Sequence, residues 1–193
     1  MGKGTNLEAE DVCINPCRGE RDEPTRTGLR CLWHPDRYAW RGRRVADPLG
    51  DPSTAMEFSR RWRDKQLEYS FRRADGAYVD FARCTREALD FIDRALGVGL
   101  SDTDKEHLMG AYASLPAFAD ARTALARLAE TGITCVAFSN GSRQAVAGLL
   151  EGAGLSEYFA DIVSVEEVRR FKPDPAVYAT CASVSKSSPV IPG

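Results

Sequence analysis

Residues 133–142 read ITCVAFSNGS, and this stretch decides the fold. ITCVAF is a continuous β-branched and apolar run, too short for a helix and too apolar for an edge strand. It predicts a buried parallel strand. Ser139, Asn140, Gly141 and Ser142 end it in a polar turn, and RQAVAGLLEGAG (143–154) resumes with a helical period. A second short strand is expected near DIVSV (161–165), followed by FKPDP (171–175) and a further helix start. Upstream, AFADARTALARLAETG (117–132) gives a helix closed by Gly132. Helix, strand, polar turn, helix and strand is the order of an α/β doubly wound, Rossmann-like parallel sheet. In such sheets ligands bind at the carboxyl ends of the strands, where Ser139 and Asn140 fall.

Working outward, residues 55–115 are helical. AMEFSRRWRDKQLEYSFRR (55–73) spaces Met56, Trp62, Leu67 and Phe71 on one face, and YVDFARCTREALDFIDRALG (78–97) does so through Val79, Ala82, Ala88, Phe91, Ile92 and Leu96. Gly97 and Gly99 stop the second helix, and Ser101 or Asp102 caps a third that runs to about Ser114. Residues 116–180 then form the α/β core. Residues 1–54 are of another texture, rich in Arg, Pro, Gly and Asp with a period of neither 3.6 nor 2, so no strand is expected there. A Ser-rich tail, CASVSKSSPVIPG, occupies 181–193.

The bulk properties narrow the function classes. The 193 residues suffice for one sizeable core, and a formal net charge of -2 with interspersed acids and bases implies neither nucleic-acid nor membrane electrostatics. No apolar run approaches the roughly 20 residues of a spanning helix, and the start of the chain has no signal-peptide pattern, so the protein is read as cytoplasmic. The six cysteines show no pairing pattern. Cys13, Cys17, Cys31 and His34 fit no regular zinc finger, and neither a metal nor a cofactor is expected.

Two motifs carry chemistry. A Ser and an Asn leaving a buried strand at a Gly turn place short hydrogen-bonding side chains and free amides at the strand tip, which suits an anion. The same residues also describe an Asn-Gly turn with a Ser capping the next helix. Lys172 is stiffened by Pro173 and Pro175 and precedes a helix, which suits pairing with a carboxylate; a solvated surface Lys is the alternative.

Together, SNG after a buried strand and Lys-Pro-Asp-Pro some thirty residues later resemble motifs two and three of the haloacid dehalogenase superfamily. WRDKQLEYSF followed by YVDF resembles the helical cap of its type II L-2-haloacid dehalogenases, so 55–115 is the expected cap subdomain. The resemblance covers roughly residues 55–180. It implies a hydrolase acting on carbon-halide bonds: an Asp carboxylate displaces halide from a small L-2-haloacid, and water hydrolyses the ester to a 2-hydroxy acid without metal. Ser139 and Asn140 match the residues that hold the substrate carboxylate and support the site. Lys172 matches the Lys that pairs with the catalytic carboxylate, and Tyr178 a Tyr near it. Arg63 matches a cap Arg that meets substrate or departing halide, while Leu67 and Phe81 match apolar walls of the pocket. Asp64 stands where many members have Gln and would put a negative charge near an anionic substrate. The implied partner is a small 2-haloalkanoic acid, and relatives are commonly homodimers. A phosphatase of the same superfamily and a non-catalytic binder of small carboxylates are the alternatives.

Two motifs of that family are missing. Residues 1–54 hold no apolar strand running into Asp-x-Tyr-Gly-Thr, whose Asp is the nucleophile, and the last motif, a Ser-Ser-Asn strand tip with a following Asp, is absent before Gly193. The core is therefore expected to be incomplete, with ITCVAF lacking a neighbour on one side. GLRCLWHP (28–35) suggests why. One permitted encoding, GGT CTT CGA TGC CTA TGG CAC CC, read one base later gives V-F-D-A-Y-G-T, the missing first motif. Residues up to about 45 are accordingly read as translated out of frame, and the tail as reflecting a second shift.

Overall fold

The computed structural model describes residues 13–17, 30–31, 49, 51–73, 77–112 and 117–180. Strands β1 (Cys13–Cys17) and β2 (Arg30–Cys31) come first, then helices α1 (Pro52–Arg72), α2 (Phe81–Leu96), α3 (Asp102–Tyr112) and α4 (Ala121–Glu130). Strand β3 (Thr134–Ser139), α5 (Arg143–Gly152) and β4 (Phe159–Ser164) follow, and a last helix, α6, covers 175–180. The sheet order is β2-β1-β3-β4.

The expected parallel pair is β3 with β4, in a register that sets Ser139 beside Ser164. The other edge of β3 departs from expectation. β1 runs antiparallel along it from Cys13 opposite Phe138 to Cys17 opposite Thr134, and β2 pairs antiparallel with β1. The sheet is thus mixed, and the 1–54 stretch contributes two strands where none was expected. The physical reason is the backbone of β3: its buried N–H and C=O groups need partners on both sides, and CINPC supplies them. That segment gives no sequence signal because Asn15 and Pro16, both depleted in strands, sit at its centre.

β3 is buried on both faces, which explains its unbroken apolar sequence. Cys135 and Ala137 face a cluster with Ala121 and Leu125 of α4 and Val146 and Leu150 of α5. Val136 and Phe138 face the other way, onto Val163, Phe171, Val177 and Cys84 of α2. The second cluster is therefore the junction between helical segment and sheet. Phe171 sits at its centre, 5.1 Å from the ring of Tyr78 and 6.0 Å from that of Phe81.

α1, α2 and α3 bury a third cluster of Ala55, Phe58, Trp62, Ala88, Leu89, Ile92, Leu100 and Leu108. α1 begins three residues before the expected start because Asp51 caps it, accepting from the Thr54 amide at 2.8 Å, with Pro52 in the first turn. Its inward face is also rotated. Met56 and Phe71 are exposed, and the buried stripe is Ala55, Phe58, Ser59, Trp62, Arg63, Gln66 and Ser70. On α2, Phe91 and Leu96 are likewise exposed while Leu89 is fully buried. The helix ends at Gly97 in the left-handed conformation, φ 63°, which glycine adopts without a Cβ clash.

The α2–α3 corner is tied by Asp93, 6% exposed. Its carboxylate accepts from the amides of Gly99 (2.8 Å) and Leu100 (3.0 Å) and pairs with Lys105 at 2.8 Å. Burial works against that charge, but Lys105 and the two amides outweigh it and hold the carboxyl below its ordinary range. A lowered folded-state value means that stability is fully present above the unfolded carboxylate range and is lost as pH falls through the folded value. Asp93→Asn is expected to cost about 1–3 kcal/mol at neutral pH and to flatten the acid limb below about pH 4. Thermal melts of both proteins between these pH values check it.

Candidate active site

The tip of β3 and the approach to α6 converge. Ser139 is 5% exposed, Asn140 is fully buried and Lys172 is 1% exposed. Asn140 Oδ1 accepts the backbone N–H of Lys172 at 3.0 Å, which fixes the segment before α6 against the strand tip. The Lys172 ammonium then lies 3.4 Å from the Phe138 carbonyl and 4.8 Å from the Phe138 ring centroid. Tyr178, 38% exposed, packs edge-on against the same ring at 5.5 Å. Asp174 accepts the Ala176 amide at 2.8 Å and so caps the helix that carries Tyr178.

The turn forms as its capped-turn reading expects. Ser142 caps α5 by accepting from Ala145 at 3.1 Å, while Ser139 Oγ accepts the Gly141 amide at 3.0 Å. Gly141 in turn is anchored to β4, because its carbonyl accepts from Ser164 Oγ at 2.9 Å. The surface reading of Lys172 does not hold. Burying its ammonium costs desolvation, offset in part by the Phe138 carbonyl and ring.

The helical segment supplies the remaining sequence-derived residues. Phe81 opens α2 and reaches the core through Phe171, the residue before Lys172. Arg63 is 6% exposed on the buried stripe of α1, and Leu67 is half-buried one residue beyond Gln66. Asp64 is exposed on α1 and paired with Arg60 at 3.0 Å. One residue along a helix turns a side chain by about 100°, so Asp64 does not share the buried stripe of Arg63.

Sequence reasoning missed Gln66, Thr85, Phe171 and Tyr78 around this site. Gln66 is fully buried and lies between Arg63 and Thr85. Phe171 carried no signal beyond its place before Lys172. Tyr78 stacks on Phe171, and its buried hydroxyl has no hydrogen-bond partner among the described residues. Burial pushes its phenol up to about 12, with Glu166 and Asp80 adding to the effect, so it stays protonated at neutral pH. The side chains of Cys13, Cys17, Cys31 and His34, the GLRCLWHP stretch apart from the backbone of β2, and residues 181–193 lie outside the described residues. Among the described residues no group of His, Cys, Asp and Glu is placed to hold a metal, and no helix is long and apolar enough to cross a membrane.

A family model described as haloacid dehalogenase-like hydrolase matches residues 35–189. The chain belongs to this family. Among curated haloacid dehalogenase-like relatives, (S)-2-haloacid dehalogenase 1 of Pseudomonas sp. (strain CBS-3) is 42% identical over 126 residues, covering 64% of this chain and 55% of that one. The (S)-2-haloacid dehalogenase of Pseudomonas putida is 37% identical over 129 residues, covering 66% and 57%. The chain spans about half the length of the curated relatives it matches. The L-2-haloacid dehalogenase from Xanthobacter autotrophicus superposes with a TM-score of 0.69 at 33% identity, over 79% of this chain and 61% of that one. The structure of that enzyme with chloropropionic acid covalently bound gives 0.68 at 34% identity, over 79% and 60%. These haloacid dehalogenase folds share the α/β architecture described above.

Proposed function

We propose that this chain carries the substrate-holding part of a hydrolase that removes halide from small L-2-haloacids, giving 2-hydroxy acids. The observation that carries the reading is the buried Lys172, fixed through its amide to Asn140 at the tip of β3. In the proposed reaction a carboxylate oxygen of an Asp attacks C2, the carbon-halogen bond breaks and halide leaves with the electron pair. Water then cleaves the resulting ester, returning the carboxylate and releasing the 2-hydroxy acid. Lys172 pairs with that Asp. Ser139 and the neighbouring amides hold the substrate carboxylate, and Asn140 supports them. Arg63 meets the substrate or the departing halide, while Leu67, Phe81 and Tyr178 wall the pocket.

The nucleophile belongs to the alternative reading of GLRCLWHP. In support, the Trp33-His34 pair gives Gly in the shifted frame whatever codons are used, and the family match begins at residue 35. In the present frame the β1 strand stands along the edge of β3 where the first-motif strand belongs. The chain as it stands is accordingly read as a cytoplasmic binder of small carboxylates that lacks the attacking group and can pair as a homodimer.

Calorimetric titration tests the substrate class. L-2-chloropropionate and L-lactate are expected to bind the present chain, and Arg63→Ala to weaken both about tenfold or more. Saturable binding of inorganic phosphate with magnesium, and none of the 2-substituted propionates, would favour a phosphatase instead.

A further inference from the structure

Arg63 emerges from a helix face that is buried, and a guanidinium in such a place needs its donors met. One is met by a chain of hydrogen bonds with a fixed direction. Arg63 Nη1 donates to Gln66 Oε1 at 3.1 Å, and Gln66 Nε2 donates to Thr85 Oγ1 at 2.5 Å. The Thr85 hydroxyl donates in turn to the Phe81 carbonyl at 2.8 Å. All three side chains are buried, with Gln66 at 0%, Thr85 at 3% and Arg63 at 6% exposure.

The polarity of this chain leaves no freedom. Arg has only donors, so the Gln66 oxygen must face it and the Gln66 nitrogen must face Thr85. Thr85 must therefore accept, and its own proton goes to Phe81. The relay crosses from α1 to α2, and a second bond runs beside it, from Trp62 Nε1 to the Thr85 carbonyl at 2.9 Å. Its far end is the backbone of Phe81, whose ring reaches Phe171 beside Lys172. Arg63 and Phe81, on separate helices, are thus held in one register.

We infer that Gln66 and Thr85 are positioning residues that set the orientation of the Arg63 guanidinium and, resting on the function proposed above, its aim at the substrate anion. A Gln and a Thr make a neutral relay here, so they orient the cation without drawing its charge away from an incoming carboxylate or halide. An Asp or Glu in the place of Gln66 would form an ion pair and compete with the substrate.

The test uses the full chain with 15N-labelled arginine. In the unaltered protein the Arg63 guanidinium is expected to show hindered rotation about Nε–Cζ, with separate Nη resonances. Thr85→Val keeps the shape of the side chain but removes the hydroxyl, and Gln66→Ala removes the relay. Both are expected to release that rotation and to raise the Kd for L-2-chloropropionate roughly tenfold, while Thr85→Ser retains the unaltered rotation and affinity. Free Arg63 rotation in the unaltered protein, or rotation unchanged by Thr85→Val, would overturn the inference. Failure of the proposed function reads differently: Arg63→Ala would then bind L-2-chloropropionate as tightly as the unaltered chain, whatever the guanidinium resonances show.

Discussion

Replacing Lys172 with Met is expected to lower turnover about 10²–10³-fold in a protein that carries the first-motif Asp, without lowering its thermal midpoint. The two effects separate because they have different sources. Met keeps a stem of similar length beside the Phe138 ring but deletes the ammonium near the Phe138 carbonyl. In the proposed mechanism, catalysis loses the positive charge that pairs with the attacking carboxylate. Folding loses a buried charge, and exchanging such a group for an apolar one of similar volume is commonly neutral or stabilising. A midpoint that fell together with activity would make Lys172 a structural residue.

Phe171→Ala is expected to cost about 3–5 kcal/mol, a large share of the roughly 5–15 kcal/mol available to a domain. Phe171 is 1% exposed and its ring is touched by both Tyr78 and Phe81, so its removal opens a cavity between the helical segment and the sheet. The loss therefore spreads across the junction. Urea unfolding in a background with Trp33→Phe and Trp40→Phe is expected to show a lower midpoint, with Trp62 fluorescence, reporting on the helical cluster, uncoupled from the far-ultraviolet signal of the whole chain. Coincident transitions with an unchanged midpoint would mean that the junction contributes little.

How much of this was visible in the residues depends on which interaction decides each element. ITCVAF was legible because burial on both faces leaves an unbroken apolar run, and SNGS because a polar turn after such a run has few other uses. α5 and α6 followed from Ser142 and from the Pro-Asp-Pro segment. The inward face of α1 was not legible from periodicity, since its buried stripe contains Ser59, Arg63, Gln66 and Ser70, and hydrophobicity assigns such residues to water. Met56 and Phe71 drew the pattern to the wrong side. β1 was hidden for a different reason: Asn15 and Pro16 break the strand signal of CINPC, which pairs along the open edge of β3. At the site, Ser139, Asn140 and Lys172 came from spacing and resemblance. Gln66 and Thr85 did not, because their role exists only once α1 and α2 face each other.

The most direct measurement is halide release from L-2-chloropropionate by two proteins side by side. One is the present chain. In the other, codons 28–35 are read one base later, the present frame resumes by codon 45, and the family's last motif is joined after it. Stoichiometric halide and lactate are expected from the second protein and none from the first. Release from the present chain would contradict the account, because a carboxylate other than the Asp hidden in GLRCLWHP would then have to be the nucleophile.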